Sequence, residues 1–255
     1  MNNADRSKQV ILSVENIHTF IGQFHILEGV SLEVPRGSIT VMLGRNGAGK
    51  TTTLKSILGL TPPSSGKVIF EDAEIQGKHA FNNANLGIGY VPEHRAIFRS
   101  LSVMENLKLA ERKRGDFDRN AKFIFDLFPD LERLYKLPGN HLSGGQQQML
   151  AVARALVPDN KLLLIDEPSE GLAPILIQQM MEAIRKLSAT TTVLLVEQNF
   201  IMASQLAERF IIIDDGKSVQ RGLMKDLIQD EDMIHEYLGA SIHARKAEVN
   251  HATKK

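Results

Sequence analysis

Gly44-Arg45-Asn46-Gly47-Ala48-Gly49-Lys50-Thr51-Thr52 carries the residue types needed to hold a chain of phosphates. It fits G-x-x-x-x-G-K-[ST], in which glycines let backbone N–H groups turn inward around phosphate oxygens. In that pattern Lys50 would lie between the terminal phosphates, and the Thr51 hydroxyl would hold Mg²⁺. The pattern has meaning only in context. Here the apolar run Ile39-Thr40-Val41-Met42-Leu43 precedes it, and Thr53-Leu54-Lys55-Ser56-Ile57-Leu58 follows. That order is strand, glycine-rich turn, helix, and the helix start adds unpaired amides and the positive end of its dipole.

A pair of carboxylates, Asp166 and Glu167, ends the apolar run Leu162-Leu163-Leu164-Ile165. Beside a nucleoside triphosphate, a strand-end Asp can hold Mg²⁺ through water. The adjacent Glu can orient or deprotonate the attacking water. Alone, Ile-Asp-Glu would be only a polar strand end; downstream of a phosphate loop it gains weight. A third stretch, Leu142-Ser143-Gly144-Gly145-Gln146, puts bare amides and a hydroxyl at a helix start, where an anion can bind. Ser143 and Gln146 also satisfy S-x-x-Q, so a reciprocal capping box is the plainer reading of the same residues.

The chain must bring these stretches together. Residues 9–20 and 25–34 read as strands, Pro35-Arg36-Gly37 as a turn, and Thr61-Pro62-Pro63-Ser64-Ser65-Gly66 as a helix breaker. Strands follow at 67–70 and 86–91, with 81–86 read as a loop or a short helix. From about 94 to 158 helical periodicity dominates. Two charge clusters there, Glu111 to Arg114 and Asp116 to Arg119, are expected to be solvated helix faces and a loop. A helix is expected over 146–156. After the Asp166 strand come a helix near 175–187, a strand at 192–196 ended by Glu197-Gln198-Asn199, and a helix over 200–208. A hairpin through Asp214-Asp215-Gly216 and a last helix to Leu238 complete the pattern. Continuous apolar strands alternating with helices indicate a parallel sheet covered on both faces. Ligands bind such sheets beyond the carboxyl ends of the strands, where the phosphate loop, Asp166-Glu167 and Gln198 can converge. Residues 240–255 are polar and basic, and read as a disordered tail.

The 255 residues can bury a large core. Lys+Arg and Asp+Glu balance at 30 each, so no global field draws the chain to nucleic acid or anionic lipid. There is no cysteine, which excludes disulfides and Cys-ligated metal and fits a reducing cytosol. No signal-peptide core and no run approaching roughly 18 apolar residues is present. A soluble protein is expected, reaching a membrane only through a partner.

With G-R-N-G-A-G-K-T, L-S-G-G-Q and L-L-L-I-D-E-P in this order, the chain resembles the ATP-binding subunits of ABC transporters over about residues 9 to 239. The resemblance implies an α/β fold: a RecA-like P-loop NTPase core with an antiparallel β subdomain and a helical subdomain carrying the signature motif. It divides residues 1–239 into a nucleotide-binding core at about 9–92 and 159–239 and a helical subdomain at about 93–158. ATP and Mg²⁺ are the implied ligands. Residues 44–52 would hold nucleotide, and Ser143, Gly144, Gly145 and Gln146 would reach ATP bound to a second subunit. The implied partners are a second ATP-binding subunit, membrane permease subunits and, indirectly, a substrate-binding protein, with no nucleic acid. The implied place is the cytoplasmic face of the inner membrane, held peripherally.

Four positions depart from the general family pattern. Ile21 stands where an aromatic residue stacks on adenine, with Phe20 and Phe24 nearby. Glu93 stands where a glutamine reaches Mg²⁺, Ala173 where a loop aspartate faces the partner, and Gln198 where a switch histidine lies. Val-Pro-Glu, Glu-Gly-Leu-Ala-Pro and Val-Glu-Gln-Asn are similar to the second ATPase subunit of bacterial branched-chain amino acid importers. ATPases of urea importers share these places, and those of lipopolysaccharide exporters share Gly-Ile-Gly-Tyr and Leu-Ser-Val. By this resemblance Glu167 and Gln198 are catalytic, while Thr51, Glu93 and Asp166 serve the metal. Two other classes stay open. One is a nucleic-acid-associated ATPase, whose relatives carry paired cassettes, zinc-binding cysteines or long coiled coils, whereas this chain has one phosphate loop, no cysteine, no net charge and no long heptad segment. The other is a nucleotide-dependent structural dimer, suggested by Ala173 and Gln198.

Overall fold

A computed structural model describes residues 9–239, so the tail expected at 240–255 lies outside the described residues. Apolar alternation builds the first sheet. β1 (Val10–Ile21) and β2 (Phe24–Pro35) form an antiparallel hairpin that turns at Gly22, whose φ is 60°. β4 (Ser65–Phe70) pairs with the other edge of β1, and β5 (Ala73–Glu74), too short to read in the sequence, completes the order β2-β1-β4-β5.

The second sheet has the order β10-β9-β3-β8-β7-β6. β3 (Ile39–Leu43), β6 (Ile88–Val91), β7 (Leu162–Asp166), β8 (Thr192–Val196) and β9 (Arg209–Asp214) run parallel. β10 (Lys217–Leu223) returns antiparallel through Asp215 and Gly216, whose φ values of 43° and 72° suit a two-residue hairpin. Every residue of β3, β7 and β8 is buried, because both faces of the sheet are covered.

Successive residues of these strands enter two different cores. Val41, Leu163, Ile165, Val193 and Leu195 face a cluster built with the helices. Met42, Leu162, Leu164, Leu194 and Val196 face Leu12, Leu27 and Leu32 of the antiparallel sheet. Leu54 and Ile57 of α1 (Lys50–Leu58) join that second cluster. The period of two thus assigns one side to the first sheet and the other to helices.

α2 (Ala80–Asn85) is the short helix left open against a loop. Between β6 and β7 lie α3 (Val103–Lys108), α4 (Asp116–Leu127), α5 (Pro129–Arg133) and α6 (Gly144–Ala155). α7 (Pro174–Ser188) and α8 (Phe200–Leu206) flank β8. The expected last helix is two: α9 (Met224–Leu227) and α10 (Glu231–Leu238), the latter capped by Asp230 accepting from the Met233 N–H.

Lys113, Arg114, Asp118 and Arg119 of the charge clusters are exposed, but the expectation needs correcting at Asp116. Asp116 is buried, not solvated, and accepts the N–H groups of Arg112 and Lys113 at 2.9 and 2.8 Å. Arg119 pairs with it, and Arg112 donates to the Ile88 carbonyl at 2.9 Å. These donors hold the Asp116 carboxyl below its usual range against the opposing effect of burial. A local count of charge could not see that this knot ties the helical segment to β6.

Candidate functional site

The parallel register sets the site. Met42 and Asp166 both pair with Val196, so β3, β7 and β8 end level with one another. The chain leaving each strand therefore emerges at the same edge: the phosphate loop after Leu43, Glu167 after Asp166, and Glu197-Gln198 after Val196.

Gly44 opens the loop at φ 148°, and a Cβ there would lie 2.1 Å from the Ile213 carbonyl oxygen. Gly49 precedes α1 at φ 107° with Leu27 packed against it, and a Cβ would meet that side chain at 2.8 Å. Both positions demand glycine. No side chain caps α1, so its first N–H groups face the loop's concavity. Gly216 donates to the Ala48 carbonyl at 2.9 Å while its own carbonyl accepts from Glu28 N–H at 2.7 Å. The β9–β10 turn thereby locks the phosphate loop to the β1–β2 hairpin. Arg45, Asn46 and Gly47 are exposed at the rim, Ala48 is buried, and Thr52 is half-buried.

Lys50 is 4% exposed and spans the loop: Nζ donates to the Gly44 and Arg45 carbonyls at 2.9 and 3.1 Å. It also lies 3.3 Å from Glu167 Oε1. Thr51 Oγ1 donates to Asp166 Oδ1 at 3.1 Å, and the Tyr90 hydroxyl to Oδ2 at 3.3 Å. Burial, chiefly, raises the Asp166 carboxyl to about 6, with the Glu167 and Glu93 charges adding to it. Burial likewise pushes the Tyr90 hydroxyl up. Glu167 itself sits at φ 45° with its N–H on the Val196 carbonyl at 2.9 Å.

Those donors suit polyphosphate, and the hydroxyl–carboxylate pair suits a hard cation that prefers oxygen ligands. Glu93 is half-buried on the loop after β6 and close enough to raise Asp166 electrostatically, but it bonds neither Thr51 nor Asp166. Gln198 is exposed. Asn199, rather than Gln198, caps α8 by accepting the Met202 N–H at 3.2 Å, which leaves the Gln198 amide uncommitted among the described residues.

The Leu142-Ser143-Gly144-Gly145-Gln146 stretch does form the reciprocal box: Ser143 N–H donates to Gln146 Oε1 at 2.9 Å, and Gln146 N–H to Ser143 Oγ at 3.3 Å. Gly145 is buried against Leu176, and Gly144 lies under the Arg95 guanidinium. Among the described residues no hydrogen bond joins this stretch to the phosphate loop. Ile21, at the tip of the β1–β2 hairpin, is 49% exposed, and Phe24 is 64% exposed. Phe20 stacks one face on His25 with ring centres 4.2 Å apart and is 46% exposed. Sequence reasoning missed Tyr90 and Glu197, whose contacts with Asp166 and with Ser169 are set by tertiary structure alone.

A glycine-rich phosphate cradle, a Thr–Asp pair and an adjoining Glu at the carboxyl edge of a parallel sheet define a nucleotide-binding P-loop protein with a helical insertion. The profile of the ABC transporter family matches residues 27–170. The chain belongs to that family and is an ATPase. It is 38% identical over 232 residues to the high-affinity branched-chain amino acid transport ATP-binding protein BraG of Pseudomonas aeruginosa, covering 90% of this chain and 100% of the relative. A probable branched-chain amino acid transport ATP-binding protein, LivF of Archaeoglobus fulgidus, is 35% identical over 213 residues, covering 82% and 90%. The lipopolysaccharide export system ATP-binding protein LptB of Escherichia coli is 33% identical over 234 residues, covering 89% and 97%. Among solved structures, the ADP conformation of MJ1267, an ATP-binding cassette of an ABC transporter, superposes with a TM-score of 0.78 at 26% identity, over 91% of this chain and 99% of that one.

Proposed function

We propose that this chain is the ATP-hydrolysing subunit of a membrane importer for branched-chain amino acids. The observation that carries the catalytic half is the convergence of Lys50, Thr51, Asp166 and Glu167 at one sheet edge, with Thr51 on Asp166 at 3.1 Å and Lys50 beside Glu167 at 3.3 Å. In this reading the loop amides and Lys50 bind the terminal phosphates, and phosphate competes with Glu167 and the two carbonyls for the ammonium. Release from Lys50 frees Glu167 to take a proton from water. Thr51 and Asp166 would hold Mg²⁺, with Glu93 nearby, and the ion would supply charge neutralisation to the phosphates. Gln198, uncommitted at the level strand end, offers a donor to phosphate and an acceptor to water. Adenine rests on the hairpin tip, against Phe24, Ile21 or the free face of Phe20.

Ser143 to Gln146 complete the site of a second ATP-binding subunit, so the working unit is a dimer held peripherally on the cytoplasmic face of the membrane by permease subunits. Higher identity to the amino acid transport relatives than to the lipopolysaccharide exporter supports import of branched-chain amino acids, with export the second reading. No described helix is long and apolar enough to cross a membrane, so cargo passes through other subunits. The test is affinity purification from membranes followed by ATP-driven leucine uptake in vesicles holding the co-purified subunits. Co-purification with lipopolysaccharide-export components and no uptake would favour the second reading.

A further inference from the structure

Glu197 is 1% exposed, and none of the roles above uses it. Its carboxylate accepts three hydrogen bonds. Ser169 N–H reaches Oε1 at 3.2 Å, Ser169 Oγ–H reaches Oε2 at 3.0 Å, and Asn199 N–H reaches Oε2 at 3.2 Å. Ser169 lies in the turn that follows Glu167, and Asn199 directly follows Gln198. One buried carboxylate thus ties its own turn to one 28 residues earlier in sequence, each carrying one of the water-directed side chains. No cation pairs with Glu197 among the described residues. A buried carboxylate without a counter-charge is costly, and here burial and the nearby Glu167 charge push it up to about 7. What Glu provides that a neutral amide cannot is acceptor capacity on both oxygens, and both are used.

We propose that Glu197 is a positioning residue for hydrolysis: it holds the turn after Glu167 and the turn bearing Gln198 in one fixed relation, so that the two groups act on the same water. This deepens the ATPase reading and rests on the roles given there to Glu167 and Gln198. Replacing Glu197 by Gln sets an NH₂ against one of the N–H donors, so at least one of the three bonds is lost and the clamp is loosened. A small misplacement of groups around a reacting water is enough to lower the rate of that step while leaving phosphate binding intact.

The test measures kcat, the KM for ATP and Tm for the parent and for Glu197→Gln, Ser169→Ala and Glu167→Gln. The expected result for Glu197→Gln is a kcat lower by about tenfold or more with KM within about twofold. Ser169→Ala, which loses only the hydroxyl bond, should lower kcat by about two- to fivefold at unchanged KM. The double variant should be no slower than Glu197→Gln alone, because both changes release the same clamp. Should Glu197→Gln fail to fold, Ser169→Ala decides. A lower kcat at parental KM supports the clamp, and a parental kcat overturns it. A folded Glu197→Gln with parental kcat, or one whose KM and Tm deteriorate together while Ser169→Ala is normal, also overturns it. Glu167→Gln separates the two levels: if it retains parental turnover, the site assignment falls and takes this inference with it.

Discussion

At the scale of residues, Lys50 and Glu167 touch in the structure but should fail differently. Lys50→Ala removes a phosphate donor, and ATP affinity measured calorimetrically should fall by about tenfold or more. Glu167→Gln keeps shape and affinity but loses the base, and should cut phosphate release by about 10²-fold or more. Gln198→Ala should lower turnover by about 10²-fold with affinity nearly unchanged, the behaviour of a lost transition-state hydrogen bond. Near-normal turnover would remove Gln198 from the mechanism. Glu197 gives a stability prediction as well. Its folded-state value of about 7 lies above the ordinary 4.5, so the folded chain holds that proton more tightly than the unfolded one. The associated stability is fully present below about pH 4.5 and is lost as pH rises through 7. Between pH 5.5 and 8 the parent Tm should therefore fall relative to that of Glu197→Gln, which has no proton to lose. Parallel Tm curves would contradict the raised value.

At the scale of elements, the loop before α3 and the β1–β2 hairpin each make a prediction. Phe98 lies on the loop that precedes α3. It is 46% exposed, and the Arg154 guanidinium lies 4.8 Å from its ring centre. A ring braced by a cation and open to solvent fits a docking contact with a permease. Phe98→Ala should leave basal ATPase intact and abolish its stimulation in vesicles; unchanged transport would assign Phe98 to another surface. On the β1–β2 hairpin, Phe24→Ala should narrow an ATP preference over GTP if that ring carries adenine. An unaltered preference would leave Ile21 or Phe20 as the platform.

These elements also mark what could be read from sequence. The phosphate loop, the buried strands and the S-x-x-Q cap were legible because local spacing writes them: a strand of continuous apolar residues, glycines at fixed offsets, a cap three residues from its partner. Asp116, Tyr90 and Glu197 were not, because each owes its role to groups brought near by the fold. Asp116 looked like one more surface charge, and Glu197 like the polar end of a strand. The break between α9 and α10 was hidden by continuous helical propensity, and only the Asp230 cap ends the ambiguity.

At the scale of the whole molecule, one edge of the parallel sheet carries the groups proposed for phosphate binding and water activation, while among the described residues the signature stretch caps α6 without a bond to that loop. An arrangement in which Ser143 to Gln146 close another subunit's site accounts for both facts. Glu167→Gln with ATP should then be trapped as a dimer in gel filtration, with itself or with its paired ATPase. A persistent monomer in both cases would refute the sandwich. The ATPase claim beneath all of this meets its most direct test in steady-state phosphate release from Mg²⁺-ATP, with parent and Glu167→Gln compared in the presence of the co-purified membrane subunits. The expected result is sustained release by the parent and a loss of about 10²-fold in the variant. No release by the parent, or equal release by both, would contradict it.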